Sequence, residues 1–322
     1  GSEFRDRKHG GEPPMKKTVR QYPLQRSPIY RLGRRRDLEE LLYMQKGDSR
    51  RVKCFSEYNI FDKEKSSGGS RTIEAPCSKM KKWQRRVWDL MARIEKPDWV
   101  ISATKGKSYK DNASKHRSNG YVMTMDISSF YPSCVREYVY RLFRERLECS
   151  PDVAQCLTDI CTYQGGIPTG SPASQAVAYF AYAKMFEEIE DLARTYGCTF
   201  TLYVDDMTFS SQDNFSWKKL AYEVDGVLHK YGHRAKGSKT KYRLPGDFKI
   251  VTGVCLAPDG ALVAPNKLRS KIVGNTRSLK ASGDLSLLSR IQGQIQAADY
   301  VEGRRTFPGI RSELERIAEA AL

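Results

Sequence analysis

Three aspartates are the residues of this chain best suited to chemistry. Asp126 ends the apolar run YVMTMD (121–126), and the adjacent pair Asp205-Asp206 follows the apolar run TFTLYV (199–204). Neighbouring carboxylates repel each other and Asp is a poor strand former, so such a pair at a strand end costs free energy. A divalent cation offsets that cost by binding the carboxylates, and Mg²⁺ prefers carboxylate and phosphate oxygens. These residues therefore indicate a metal site.

Two divalent cations held about 3.5–4 Å apart can stabilise both the attacking and the leaving oxygen of a phosphoryl transfer. Such a pair of ions needs carboxylates from separate strands that face one point. An apolar strand that runs into Asp at 126, and again at 205, predicts this arrangement. For the YVDD string (203–206) taken alone, a hairpin turn without chemistry is the alternative, since Asp is common in turns. The surrounding motifs therefore decide between the two.

The segments that carry the aspartates mix strands and helices without a βαβ rhythm. Apolar runs predict strands at 121–127, 199–204, 207–210 and 249–256. The spacing of apolar residues predicts helices at 83–94, 135–147, 151–163, roughly 173–196, 217–231, 266–280 and most of 284–320. This mixture favours an α+β fold with a helical C-terminal part.

The chain carries a formal net charge of +17. This charge and a pI near 9.5 indicate a polyanionic partner. The basic residues are spread along the chain, which suits a long nucleic-acid channel better than one docking patch. The clusters lie at 34–36, 79–86, 236–241, 267–271 and 304–305. For any single cluster, a solvated basic surface is the alternative.

Other function classes find little support in the sequence. No apolar run approaches the length of a membrane-spanning helix, so no membrane partner is predicted. The eight cysteines form no CxxC pair and no zinc-site spacing, which is typical of reduced core cysteines and favours a cytoplasmic protein. His229 and His233 lie four residues apart, but no cysteine pair stands nearby to complete a zinc site.

Motifs around the aspartates resemble those of reverse transcriptases, in the same order along most of the chain. RTI (71–73), followed by a basic helix, looks like the fingers segment of that family. MDISSFYPS (125–133) and YVDD (203–206) are similar to its two catalytic motifs. IPTGSPAS (167–174) resembles the loop that supports template and nucleotide, and SKTKY (238–242) falls where the family has a lysine near the departing pyrophosphate.

The resemblance implies a role for each matching residue. The catalytic residues would be Asp126, Asp205 and Asp206. Two Mg²⁺ ions, with Mn²⁺ as a substitute, would be bound by Asp126, Ile127, Asp205 and Asp206. The nucleotide would be bound by Arg71, Tyr131, Thr169, Gly170 and Lys239. In this family the aromatic at Tyr131 packs under the sugar and excludes a 2′-hydroxyl; a plain core aromatic is the alternative. For Lys239, a solvated loop lysine is the alternative.

Two positions depart from the family pattern. The loop motif usually has Gln before its glycine, whereas this chain has Thr169, and another Ser-Pro pair is replaced by Ser174-Gln175. The loop is still expected to form, because Gly170 lets the backbone approach closely. A Gln side-chain contact with the nucleotide cannot be assumed. Thr169 is therefore expected to reach the nucleotide only through its backbone or a water molecule.

Two further strings resemble signatures of retron reverse transcriptases. DNASKH (111–116) fits the NAxxH pattern, and VTG (251–253) fits the second signature. The resemblance implies RNA contacts by Asn112, His116, Thr252, Gly253, Lys267, Arg269, Lys271, Arg304 and Arg305. For Asn112 and His116, the alternative is a hydrogen-bonded pair that fixes the turn before the palm strand. For Gly253, the alternative is a strand bulge.

The resemblance implies a right-hand polymerase fold of the α+β class, with fingers, palm and a helical thumb. Residues 1–14 are expected to be a cloning remnant, and 15–120 to form an N-terminal arm and the fingers, with the arm extended on the surface at 15–36. The palm with the catalytic site is expected at 121–256, with part of 135–165 packing against the fingers. An RNA-binding thumb is expected at 257–322.

By the same resemblance, the chain is expected to be an RNA-directed DNA polymerase that copies a cognate structured noncoding RNA with dNTPs. Priming from a 2′-hydroxyl would give branched RNA–DNA (msDNA), and a separate effector protein would act with the enzyme in antiphage defence. The alternatives are a reverse transcriptase of another antiphage or group II intron-like lineage, and a noncatalytic RNA-binding protein on a polymerase fold. Three clustered aspartates argue against the noncatalytic protein, and Tyr131 argues against an RNA-templated RNA polymerase.

Overall fold

The computed structural model of the chain describes residues 20–64 and 69–320. The predicted cloning remnant at 1–14 and the start of the predicted arm lie outside the described residues, as does the tip of the first hairpin. In the part of the chain that the structure describes, no helix is long and apolar enough to cross a membrane.

Helices and strands alternate irregularly along the chain. The strands are β1 (Tyr58–Glu64), β2 (Ser70–Pro76), β3 (Tyr121–Asp126), β4 (Thr199–Tyr203), β5 (Asp206–Ser211), β6 (Lys241–Arg243), β7 (Lys249–Val251), β8 (Val254–Leu256) and β9 (Leu262–Val263). The α-helices are α1 (Arg35–Leu41), α2 (Ser78–Met91), α3 (Tyr109–Ser114), α4 (Phe130–Ser133), α5 (Arg136–Arg141), α6 (Pro151–Cys161), α7 (Ser174–Ala181), α8 (Ala183–Thr195), α9 (Trp217–Lys230), α10 (Asn266–Ser282), α11 (Ser286–Glu302) and α12 (Pro308–Ala320). A π-helical segment, Leu142–Arg146, follows α5.

A four-stranded antiparallel sheet in the order β4-β5-β3-β6 lies at the centre of the fold. β5 and β3 are its inner strands, and their side chains Met123, Met207 and Phe209 are fully buried. Phe186 of α8 and Leu220 of α9 belong to the same continuous hydrophobic core. β3 ends at an aspartate and β5 begins at one. The two inner strands therefore present acidic residues side by side at the same end of the sheet.

A hairpin formed by β1 and β2 precedes the central sheet. Its strands pair from Tyr58 opposite Pro76 up to the described end of the hairpin. α2 follows the hairpin and is amphipathic, as predicted, because Trp83, Val87 and Leu90 lie on one buried face. That face anchors α2 in the main core, and basic residues such as Lys81 and Arg85 are exposed to solvent.

The N-terminal arm and the longest helix predicted in the palm differ from the structure. The arm predicted at 15–36 does not lie loosely on the surface over its described part, because Ile29 is fully buried in the main core. The helix predicted at 173–196 is interrupted at Tyr182, between α7 and α8. The Tyr182 ring is fully buried, and its hydroxyl accepts a hydrogen bond from the Val135 N–H (2.9 Å).

The C-terminal part combines a small sheet with three helices. β7, β8 and β9 form an antiparallel sheet, and α10, α11 and α12 share a separate hydrophobic cluster that includes Ile272, Ile291 and Leu314. The single strand predicted at 249–256 is wrong: the chain turns back at Thr252-Gly253, between β7 and β8. Both turn residues have positive φ angles, 45° and 80°, which a continuous strand does not allow.

Candidate active site

The register of the central sheet brings the three predicted catalytic aspartates together. Asp126, the last residue of β3, pairs directly with Asp206, the first residue of β5. Asp205 lies in the turn that connects β4 to β5, and its carbonyl accepts a hydrogen bond from the Ile127 N–H (3.1 Å). The turn lies one residue earlier than predicted, at Val204-Asp205. Asp206 therefore belongs to the strand, and its position follows from the register of the sheet.

The turn that carries Asp205 has a strained backbone. Val204 has a φ of 63°, which β-branched residues rarely adopt. The buried hydroxyl of Ser102 accepts a hydrogen bond from the Val204 N–H (2.7 Å). Next to it, the Ile101 N–H donates to the carbonyl of Leu202 (3.0 Å). Ser102 is therefore a positioning residue of the turn, and no sequence motif pointed to it.

The three carboxylates are crowded, and burial disfavours their charged forms. Burial, hydrogen bonding with Asp126 and the charge of Asp205 raise the pKa of Asp206 to about 8. Burial and the charge of Asp126 raise the pKa of Asp205 to about 6. Although burial opposes it, hydrogen bonds with Asp206 and Lys239 hold the pKa of Asp126 below its ordinary value. The three carboxylates therefore repel one another when they are ionised. A bound divalent cation reduces that repulsion.

Lys239 lies within the same site. Its ammonium forms an ion pair with Asp126, and this hydrogen-bonded pair raises the pKa of Lys239. Among the described residues, no three His, Cys, Asp or Glu side chains are arranged as a ready-made metal-binding group. The oxygen donors of the aspartates nevertheless suit Mg²⁺, and the Lys239 ammonium lies on one side of the Asp126 carboxylate.

Arg71 lies on β2, directly opposite Lys63 on β1. Opposite residues of an antiparallel pair lie on the same face, so both cations share one face of the hairpin. Burial is the main cause of the raised pKa values of Asp205 and Tyr131, and the nearby charge of Arg71 opposes both shifts. The guanidinium therefore lies near the catalytic turn. Lys63 was not predicted, and only the register of the hairpin identifies it.

Tyr131 lies beside the aspartates. Its side chain is half-buried, and burial, followed by the charge of Asp205, raises the pKa of its hydroxyl. Its carbonyl accepts a hydrogen bond from the Ile167 N–H (3.3 Å). The loop at 167–174 therefore begins next to Tyr131.

The same loop is joined to β2 by hydrogen bonds. The Thr169 hydroxyl donates to the carbonyl of Thr72 (2.9 Å) and accepts from the Glu74 N–H (3.1 Å). A Cβ on Gly170 would lie 2.5 Å from the Glu74 carbonyl oxygen, so this close approach requires glycine. The Thr169 hydroxyl is therefore already bound to β2. A contact of Thr169 with the nucleotide through its backbone or a water molecule, and a contact by Gly170, stay predictions.

A family model described as "Reverse transcriptase (RNA-dependent DNA polymerase)" matches residues 62–276, which is more than half of the chain. The chain belongs to the reverse transcriptase family. The match includes β2, the loop at 167–174 and all three aspartates. It confirms the predicted right-hand polymerase fold, and the fingers, palm and thumb can be named accordingly.

The relatives of this reverse transcriptase include retron enzymes. The chain is 28% identical to the retron Se72 reverse transcriptase of Salmonella heidelberg (strain 579083-10) over 53% of this chain and 46% of that protein. It is 27% identical to the retron Ec86 reverse transcriptase of Escherichia coli over 67% of this chain and 69% of that protein. The chain thus spans about half the length of the first relative. A structure of apo telomerase from Candida tropicalis, truncated from its C-terminal domain, aligns with a TM-score of 0.48 and 13% identity over 66% of this chain and 55% of that chain. The retron matches confirm the predicted resemblance to retron-type reverse transcriptases.

The NAxxH residues of this reverse transcriptase are fully buried. The His116 ring is hydrogen-bonded to the hydroxyls of Ser210 (2.6 Å) and Thr201 (2.7 Å), and burial lowers its pKa to about 3. The Asn112 amide donates to the Thr252 hydroxyl (3.2 Å). The predicted direct RNA contacts of Asn112 and His116 need correction, because neither residue has exposed surface. The alternative, a structural role, fits better, although the two residues bind other partners rather than each other.

The other predicted RNA-contacting residues have exposed surface. Lys267 and Lys271 are exposed on α10, and the turn residue Gly253 is exposed as well. Arg269 and Arg304 share one buried glutamate, and their side chains are 39% and 74% exposed. The ion pair and a further bond to a backbone carbonyl make Arg269 less available than Arg304. Arg305 is 70% exposed. Their RNA contacts stay predictions.

Proposed function

We propose that this chain is an RNA-directed DNA polymerase, acting in the cytoplasm, that copies a cognate structured noncoding RNA with dNTPs as substrates. Priming from a 2′-hydroxyl within that RNA gives branched RNA–DNA (msDNA), and a separate effector protein completes an antiphage defence system. The observation that carries the proposal is the sheet register that joins Asp126, Asp205 and Asp206 within a retron-type reverse transcriptase.

In this proposal, Asp126, Asp205, Asp206 and the backbone of Ile127 hold two Mg²⁺ ions, for which Mn²⁺ can substitute. The raised pKa values of Asp205 and Asp206 support it, because two cations would relieve the repulsion between these carboxylates. When bound, the ions lower the pKa of the attacking hydroxyl and neutralise charge on the leaving pyrophosphate. The protein itself contributes position and a fixed electrostatic field.

The nucleotide lies between the hairpin and the catalytic turn. Arg71 offers a fork of donors to the triphosphate, and Lys63 adds a second cation on the same face of the hairpin. Lys239 is placed to donate a proton or a hydrogen bond to the leaving group. Tyr131 lies under the sugar and excludes a 2′-hydroxyl, and the backbone at Gly170 approaches the nucleotide from the loop.

The RNA and the growing DNA follow the basic surface toward the thumb. Folded RNA is recognised mainly through phosphates, 2′-hydroxyls and unpaired bases. The proposed phosphate contacts are Lys267, Lys271, Arg304 and Arg305. Arg269 is a further proposed RNA contact, although its ion pair leaves it less exposed. The net charge of +17 supports this path. If these contacts act together, affinity should fall with salt at a slope of about −0.7 per single-strand phosphate neutralised.

The last of the proposed domain boundaries follows the hydrophobic clusters. Residues 15–120 form the arm and fingers, 121–256 the palm and 257–322 the thumb. The separate cluster of the C-terminal helices supports the last boundary. One continuous core runs through fingers and palm, so their boundary follows function rather than a gap in packing.

The experiment is a denaturing-gel analysis of nucleic acid co-purified from cells that express the gene with its native flanking DNA. Samples are run with and without RNase, beside a variant that carries both Asp205→Asn and Asp206→Asn. A discrete DNA species that shortens under RNase and disappears in the variant supports a covalent RNA–DNA product. Extension of a supplied DNA primer on an RNA template, without any such species, would keep the polymerase and reject the retron product. No DNA synthesis in either assay would reject the polymerase.

A further inference from the structure

The short helix α3, which carries Asn112 and is followed two residues later by His116, contacts three separate parts of the molecule together with this histidine. Its C-terminal side is fixed to the palm sheet through His116. Ser210 lies on β5 and Thr201 on β4, and these two strands carry the catalytic turn at their other end. His116 is fully buried, and burial lowers its pKa to about 3, so a neutral ring makes this contact.

The second contact is with the hairpin β7-β8. Asn112 donates to the Thr252 hydroxyl (3.2 Å), and that hydroxyl in turn donates to the carbonyl of Tyr109 (3.2 Å). Thr252 has a φ of 45°, an outlier for a β-branched residue that persists only when its surroundings hold it. Ala113 packs in one hydrophobic cluster with Val254 of the hairpin. α3 therefore holds a turn that would not be stable by local preference alone.

The third contact is with the thumb. Lys110 donates to the carbonyl of Tyr300 on α11 (2.6 Å), and the Tyr300 hydroxyl donates to the hydroxyl of Ser108, the N-cap of α3 (2.7 Å). The rings of Tyr109 and Tyr300 meet edge to face, with centroids 5.7 Å apart. Val301 joins the cluster that α3 shares with the hairpin. The thumb is thus attached to the palm through the same six-residue helix.

We propose that α3 is a latch that sets the hairpin turn and the thumb relative to the palm, with Asn112 and Thr252 as its positioning residues. The NAxxH and VTG signatures then act as one unit. Together they position the surface that binds the RNA–DNA hybrid. Asn112 itself touches no nucleic acid. The inference rests on the proposed function, since it concerns how the same polymerase holds its duplex.

The test is a double-mutant cycle on the full-length chain. Asn112→Ala and Thr252→Val each remove one partner of the hydrogen bond, and Thr252→Val keeps the β-branched shape at the turn. Thr252→Ser keeps the hydroxyl and should behave like the wild type. Asn275→Ala is the matched control, because the Asn275 amide donates one comparable side-chain hydrogen bond (3.1 Å) elsewhere in the thumb.

Three quantities are measured for each variant. Fluorescence anisotropy gives the Kd for a labelled RNA–DNA hybrid, and primer extension gives the KM values for hybrid and for dNTP. The midpoint temperature of thermal unfolding shows whether the variant is folded. Each single change at the latch should raise the Kd and the hybrid KM about tenfold. The KM for dNTP should stay within about twofold, as should all values of the control. The Asn112→Ala, Thr252→Val double variant should bind the hybrid no more weakly than Thr252→Val alone, because Thr252→Val already removes the contact with Asn112 together with the bond to the Tyr109 carbonyl.

Hybrid affinity that is unchanged in both folded single variants would overturn the latch, as would fully additive effects in the double variant. If Asn112→Ala does not fold, the hybrid affinities of Thr252→Val and Thr252→Ser are compared instead. Thr252 is half-exposed, so substitutions there should still allow folding. Equal affinity of these two variants then overturns the proposal. A wild-type protein that binds the hybrid but extends no primer would instead reject the proposed polymerase, and the anisotropy cycle would still test the latch.

Discussion

Replacing Ser102 by alanine tests whether the catalytic turn is held in place from outside. The change removes the hydroxyl that accepts the Val204 N–H at 2.7 Å and leaves a half-buried donor without this partner, which costs at most about 1–3 kcal/mol. The turn can recover part of this free energy by releasing the positive φ of Val204 (63°), a strain of about 1–2 kcal/mol. Both effects favour a relaxed turn in which Asp205 moves away from Asp126.

A displaced Asp205 should lower kcat for primer extension about 10- to 100-fold, or about 1.4–2.7 kcal/mol of transition-state stabilisation. The assay is steady-state extension of a DNA primer on an RNA template, with the thermal midpoint measured on the same samples. Ser150→Ala is the matched control, because the Ser150 hydroxyl also accepts a backbone N–H, that of Val153 (3.3 Å), at the start of α6. A Ser102→Ala enzyme whose kcat equals that of this control would refute the reasoning.

Four other changes test further contacts. Tyr131→Ala should let ribonucleotides into the product, because no ring would exclude the 2′-hydroxyl; unchanged discrimination in a competition between dNTP and rNTP would contradict the role. Thr169→Val breaks two hydrogen bonds to β2 and should raise the KM for dNTP several-fold, whereas Thr169→Ser should not; equal KM values would show that the hydroxyl is idle. Lys239→Met frees the aspartate that it pairs with and should tighten Mg²⁺ binding to the free protein several-fold in calorimetry; unchanged or weaker binding would argue that the ion pair does not compete. His116→Gln removes a buried imidazole whose pKa is about 3, below the value of about 6.5 in the unfolded chain. The unfolded state therefore takes up the proton first, and wild-type stability falls between about pH 6.5 and 3 by up to about 1.4 kcal/mol per pH unit for this residue. The free energy of unfolding of His116→Gln in urea should fall less steeply over that range, while His233, with a pKa of about 4, keeps its own contribution; parallel curves would count against the assignment.

The catalytic residues could be predicted from the sequence because their signal is local. An apolar run that stops at Asp126, and another that stops at the Asp205-Asp206 pair, already imply two strand ends with carboxylates. The direct pairing of Asp126 with Asp206 then follows from the register, which the sequence does not state but which burial of both inner strands imposes. The exact turn position was missed by one residue, because Val204 is a poor candidate for a positive φ.

The supporting residues could not be predicted, because their partners lie far away along the chain. Ser102 reaches a turn that lies 102 residues later. Thr169 binds β2 across 95 to 97 residues, so no local pattern could show that its hydroxyl bonds to this strand. An RNA contact of Asn112 was inferred from the resemblance to retron enzymes, with a structural role as the alternative. Only the fold shows that this side chain is buried.

Both turns that matter most for the proposed activity violate local preference in the same way. Val204 and Thr252 are the β-branched residues with positive φ in the described part of the chain. Each is held by a polar side chain from a distant segment: Ser102 binds the N–H of Val204, and Asn112 binds the hydroxyl of Thr252. A glycine would relieve the strain at either position, so strain at both indicates that placement of the turn outweighs local stability there. If that is so, a glycine at Thr252 should leave the fold intact and still weaken the grip on the hybrid, because the hydroxyl that connects the hairpin to α3 would be gone.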